Sequence, residues 1–200
     1  MRRVLSVMRV RADDLSSVPG DSRLLRPAER RELCALHLLG SRREEWIRGR
    51  VAIRRAVARW IPHASRCRVH SESSGAPLVV GVDCTVSLSH DGLWFAVALA
   101  PGHALRIGVD LCRRVHTDRL APILRRFTGR GVQLDPVVQW AALECVLKMR
   151  RWGIMALIGS DARVRRDGRR VLVHGIGPDA SLHVIERPEF VVVWGSEGQP

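Results

Sequence analysis

The sequence contains no tyrosine and no asparagine, and only one lysine, Lys148, among its 33 basic residues. Every other cation is arginine. Lysine, asparagine and tyrosine have the codons richest in A and T, so a GC-rich genome accounts for all three shortages. Long apolar runs are also missing. None nears the roughly 20 residues of a membrane-spanning helix, which excludes that class. The chain begins with basic residues, and Arg9 and Arg11 interrupt it before an apolar core can form, so no signal peptide is expected. Five cysteines (34, 67, 84, 112 and 145) are an odd number without CxxC spacing. That pattern argues against a disulfide framework or a zinc ribbon and leads us to expect a reducing cytoplasm.

What is present supports a folded chain. Hydrophobic residues make up 46% and there are six tryptophans, enough for a real core. At 200 residues the chain makes one large domain or two small ones. The formal net charge is +13. Such basicity favours an anionic partner: a nucleic acid, an acidic protein or a phosphorylated ligand. A solvated surface with no specific partner is the bland alternative.

Alternation around Val4, Leu5, Val7, Met8 and Val10 predicts a strand over 3–11, and residues 12–26 read as a loop. Pro27 opens a helix that Gly40 stops. Ser41 and Glu44 have capping-box spacing and open a second helix running to about Trp60. From residue 66 the period changes. Strands are expected at 77–82, 85–89, 94–99 and 105–110, helices at about 117–127 and 135–152, and strands again at 162–166, 170–174, 181–186 and 190–194. Each half thus reads as helix plus short strands, an α+β chain of two similar halves, 1–101 and 102–200, with a seam near Pro101-Gly102.

Three segments could carry chemistry. Val86-Ser87-Leu88-Ser89-His90-Asp91-Gly92 is a strand running into a turn. Its Ser89 and His90 can donate to a phosphate or simply serve the turn. Ile107-Gly108-Val109-Asp110-Leu111 is an apolar strand ending in a carboxylate that needs a cap, a cation or a loop partner. Trp140-Ala141-Ala142-Leu143-Glu144-Cys145-Val146-Leu147-Lys148 lies on the strongest helix. There Glu144 and Lys148 share a face, as a surface ion pair or as a partly buried functional pair.

Each segment is weak alone, but their order and spacing together are more specific. Ser-x-Ser-His, then Gly-x-Asp about 20 residues on, then Trp-x-x-x-Glu-x-x-x-Lys about 30 residues after that, resembles the 4′-phosphopantetheinyl transferases of the Sfp type. The run from Arg43 through Arg50 to Arg54 looks like that family's N-terminal arginine helix. Gly75-Ala76-Pro77 stands where the family has Gly-Lys-Pro, and Arg126-Phe127 where its Arg-Phe element precedes the Glu-Lys helix. The resemblance covers roughly residues 25–155.

This resemblance implies two similar α+β halves, a pseudo-duplication, with the active site in the cleft between them. It implies transfer of the 4′-phosphopantetheine arm of coenzyme A to a serine of an acidic acyl or peptidyl carrier protein, with release of 3′,5′-ADP. Asp110 and Glu144 would be the carboxylates for Mg2+, and Glu144 also the base for the serine. Lys148 would reach the pyrophosphate. Ser89, His90, Arg43, Arg50 and Arg54 would contact coenzyme A, with Arg50 and Arg54 favoured over Arg43. A monomer is expected, because one chain supplies both halves. The chain departs from the family pattern in three places. Cys112 stands where a third carboxylate is usual, and a thiol is a poor magnesium ligand. Leu143 and Ala76 replace two usual lysines.

Two other readings compete. One is a basic nucleic-acid-binding module, which the arginine-rich stretches 23–31 and 163–170 permit. No RRM, KH, zinc or helix-turn-helix signature supports it. The other is a catalytically weakened homologue that binds carrier protein without turnover.

Overall fold

The computed structural model describes residues 8–61, 64, 67–103, 105–127 and 134–198. Among them are four α-helices and ten strands in three sheets, a mixed α+β fold. The chain divides into two compact units, Met1–Leu105 and Arg106–Pro200.

In the first unit, β1 (Arg9–Asp14) pairs with β5 (Trp94–Pro101), which pairs with β4 (Cys84–Asp91), both antiparallel. A two-residue turn, Gly92-Leu93, joins β4 to β5, and Gly92 supplies the positive φ of 62° there. Two short strands, β2 (Arg68–Ser71) and β3 (Pro77–Val80), form a separate antiparallel pair. Helices α1 (Pro27–Ala35) and α2 (Gly40–Trp60) complete this unit. The backbone of α2 comes close to the three-stranded sheet at Gly49, where a Cβ would lie 2.9 Å from the Leu88 side chain. Ile53 and Val57 of α2 pack with Val86, Phe95 and Val97 in one core.

Two expectations shift here. Among the described residues the first strand is Arg9–Asp14, which leaves out Met8 and runs three residues past the expected end at 11, and residues 3–7 of the expected strand lie outside the described residues. The capping box expected at Ser41 and Glu44 is not used: α2 starts at Gly40, with Leu39 at its cap and no side-chain capping bond. One-sided end-capping falls one helix earlier, where Glu29 accepts the Arg26 backbone N–H at 2.9 Å.

The second unit holds β6 (Leu105–Arg113) apart from its first residue, followed by α3 (Thr117–Phe127), α4 (Pro136–Arg150) and strands β7 (Arg163–Asp167), β8 (Arg170–His174), β9 (Ala180–Glu186) and β10 (Phe190–Gly198). The sheet order is β6-β10-β9-β8-β7. Leu120 and Leu124 of α3 pack with α4 and with Val164, Val171, Val173, Leu182, Val191 and Val193 in the core of this unit. The alternate residues of β7, β8 and β9 face away from that core.

The ends of α4 are held firmly. Asp135 Oδ1 accepts the Val137 N–H at 2.8 Å, and Pro136 takes the first helical position, where its missing N–H costs nothing. Arg151 closes the helix in the left-handed region at φ 58°. The buried Arg150 guanidinium bonds to Glu197 and to the carbonyls of Ile176 and Pro178, fixing this end to β10 and the β8–β9 loop.

Candidate active site

Helix α4 is apolar almost all round, as a helix buried on nearly every side must be. Leu143, Cys145 and Val146 are fully buried, and Leu147 and Met149 nearly so. Between 136 and 150 only Pro136, Trp140, Glu144 and Lys148 are partly exposed. They recur every four residues and form one stripe. Glu144 and Lys148 are therefore the two charges on the single face of this helix that reaches outward.

Strand β6 brings a third charge to them. Asp110 is 5% exposed, and Gly108 and Cys112 share its face of the strand at two-residue spacing. A Cβ on Gly108 would lie 2.2 Å from the Cys145 carbonyl oxygen and 3.0 Å from Met149 Cβ. The strand can approach the helix this closely only because residue 108 has no side chain. Two residues along, the Lys148 ammonium donates to Asp110 Oδ1 at 2.5 Å.

Glu144 lies one helical turn before Lys148. Burial pushes its carboxyl above the usual glutamate range, the nearby Asp110 charge pushes it further, and Lys148 opposes both. The three expected residues of this unit thus come together, although 38 positions separate Lys148 from Asp110.

Two carboxylates from facing elements are hard oxygen donors, suited to a magnesium ion that keeps waters and phosphate oxygens as its other ligands. Their mutual repulsion is what a divalent cation relieves, so the pair fits that ion. Cys112 adds no donor. It is 5% exposed within the core of the unit, and its thiol lies 3.9 Å from the Arg113 carbonyl oxygen. Among the described residues no three His, Cys, Asp or Glu side chains gather as a metal-binding group.

The expected residues of the first unit fall in two places. Ser89 is buried on β4, paired across the ladder with Ala96. His90, the next residue, is exposed and stacks on Phe95 with ring centroids 5.2 Å apart. On α2, Arg43 is partly exposed, while Arg50 and Arg54 turn to internal carboxylates. Arg50 is 5% exposed. Its Nη2 donates to Glu32 Oε1 at 3.1 Å and to Ser71 Oγ at 2.5 Å, and its guanidinium lies 4.0 Å from the Trp46 ring centroid. Burial holds the Arg50 pKa below the usual arginine value, and Glu32 opposes this. Arg54 pairs with the fully buried Glu29 and donates to the Leu24 carbonyl at 2.6 Å. Through these pairs α1 and β2 are tied to α2.

Glu29 and Glu32 are the partners that sequence reasoning missed. Their one signal was the burial of Glu29 beside Leu33 on α1, which no spacing rule reveals before the fold is known. No protein-family model matches the chain, and no curated protein matches it.

Proposed function

We propose that this chain is a 4′-phosphopantetheinyl transferase similar to the Sfp type, acting on coenzyme A and an acidic carrier protein. The observation that supports it most is the meeting of Asp110 on β6 with Lys148 and Glu144 on α4. A chain that spends its only lysine and two carboxylates on one small site has the charges that pyrophosphate transfer requires. The reading takes the two units as a duplication sharing one cleft.

The chemistry is attack by a serine hydroxyl on the phosphorus that carries the pantetheine arm. A new P–O bond forms to the serine, the bond to the adenosine-side phosphate breaks, and 3′,5′-ADP leaves. Asp110 and Glu144 would hold the magnesium, which when bound offsets the pyrophosphate charge. Glu144, with its raised pKa, takes the serine proton. The Lys148 ammonium, a compact charge, moves from Asp110 to the pyrophosphate oxygens as substrate arrives. His90 and Arg43 remain reachable for the 3′-phosphate end of coenzyme A. A phosphate role for Arg50 or Arg54 requires release of the Glu32 or Glu29 pair.

The test is a mass-shift assay with coenzyme A, magnesium and a panel of fatty-acid, polyketide and peptide apo carrier proteins. The arm's mass should appear on one of them, and Asp110→Ala and Glu144→Gln should abolish it. Lys148→Arg keeps the charge but changes its shape and reach, and should slow transfer substantially. Wild-type activity in the first two variants removes the site assignment. The buried Cys112 favours a second reading, a weakened enzyme that binds carrier without turnover. Carrier binding with no mass shift would select it.

A further inference from the structure

The sheet of the second unit has one face packed on its core and another that the transferase chemistry does not use. On β7, β8 and β9 the inward residues are Val164, Val171, Val173, Ala180 and Leu182. Their alternates point away. The pairing register sets Arg170 opposite His183, and His183 opposite Trp194, in one continuous row across three strands. His183 and Trp194 stack, with ring centroids 5.4 Å apart and planes 18° from parallel. Arg170 and His183 are exposed and Trp194 is half-buried. The neighbouring row is Arg165, Leu172 and Ser181.

The charge on this face is uneven. Arg163 and His174 are matched by Asp161 and Asp179. Arg165 and Arg170 are exposed and make no side-chain hydrogen bond or ion pair among the described residues. Asp167, opposite Arg170, is the carboxylate at the strand end. Two guanidinium groups without partners thus stand beside a flat imidazole–indole stack on an antiparallel sheet whose helices cover the other side.

We propose that this face binds single-stranded nucleic acid, with a base stacking on the His183–Trp194 pair and the backbone phosphates engaging Arg165 and Arg170. An acidic protein would satisfy the arginines but has no use for the stack, whereas a single strand uses both. Stacking of bases on sheet-face aromatics, with the phosphates held by cations, is sequence-tolerant and needs no recognition helix. That removes the objection that the sequence carries no known nucleic-acid signature. The site is independent of the transferase reading, since none of its residues belongs to that chemistry.

The experiment is fluorescence anisotropy of the full chain with fluorescein-labelled U12 RNA at 50, 100 and 200 mM salt. Binding should weaken with salt. Arg165→Gln/Arg170→Gln should weaken it about tenfold and lower the magnitude of the log–log salt slope by about 1.4, the effect of two lost phosphate contacts on a single strand. His183→Ala should weaken it by about fivefold or more without changing that slope. Arg30→Gln/Arg31→Gln, an equal loss of exposed charge on α1, should change affinity less than about twofold. Circular dichroism melts would verify that each variant folds. The proposal is overturned by absence of U12 binding at 50 mM salt, or by equal loss in the α1 control, which would mean diffuse charge alone. Equally tight binding of a duplex, whose paired bases cannot stack, also overturns it. So does a surface whose variants affect only an acidic carrier protein and not U12.

Discussion

Glu144 shows how burial of one charged side chain can cost stability. Its carboxyl is held above the ordinary value of 4.5 by burial first and then by Asp110. The folded chain therefore binds that proton more tightly than the unfolded chain does. The cost is absent well below the unfolded pKa, grows as pH rises from there, and is complete only once pH exceeds the folded pKa. Glu144→Gln removes it, so in chelator at pH 7 the variant should melt a few degrees above wild type, a gain of about 1 kcal/mol. The difference should close by about pH 4, where both side chains are neutral. A lower melting temperature for the variant at pH 7 would mean that attraction to Lys148 outweighs burial and Asp110. Cys112 shows the opposite case. Its thiol is packed in a core, so Cys112→Glu buries a carboxylate without a partner and should destabilise the chain by about 3 kcal/mol, measured by urea unfolding. Unchanged stability would mean that the new carboxylate finds a cation at the site.

At the scale of elements, the close contact of β6 with α4 decides whether Asp110 and Lys148 meet. The Gly108 backbone lies against the Cys145 carbonyl, and even a methyl group would force the strand outward. Gly108→Ala should cost about 1–3 kcal/mol in a thermal melt through overpacking. Under the transferase reading it should also lower kcat for transfer by about a hundredfold through misplacement of Asp110, without comparable change in KM for coenzyme A. Wild-type melting together with wild-type turnover would remove this role. Both elements were legible in the sequence for physical reasons. Helix α4 announces itself by its apolar run, and β6 by an apolar run ending in Asp110. Strands β4 and β5 follow from the apolar runs on either side of Gly92, while their pairing with each other is seen only in the fold. Strand β2 was not legible: its residues Arg68, Val69, His70 and Ser71 show no apolar alternation, and its place comes from pairing with β3. The inward turn of Arg50 and Arg54 was hidden too. Their helical spacing predicted a shared face, but what that face meets depends on Glu29 and Glu32 of a different helix. A spacing rule reports which residues are neighbours on one element and is silent about what the next element brings.

For the molecule as a whole, the charge of +13 acts at longer range than any of these contacts. Many of the arginines lie on exposed positions of α1, α2, β7 and β8. Such charges contribute little to stability singly, but together they set a potential that attracts acidic partners before contact. At physiological ionic strength this field reaches about 8 Å, and at 1 M salt about 3 Å. Under the transferase reading, raising salt should therefore raise the apparent KM for an acidic carrier protein by about tenfold or more between 50 and 500 mM. The kcat and the KM for coenzyme A, bound by short-range contacts, should change much less. Steady-state transfer kinetics across that salt range would separate the two. A carrier KM that does not respond to salt would assign the excess of arginine to base composition alone and leave transfer, under that reading, to the short-range contacts of the site. Parallel U12 titrations over the same salt range would show whether the open sheet face competes for the same field. If so, the nucleic acid should inhibit transfer at low salt in wild type but much less in Arg165→Gln/Arg170→Gln.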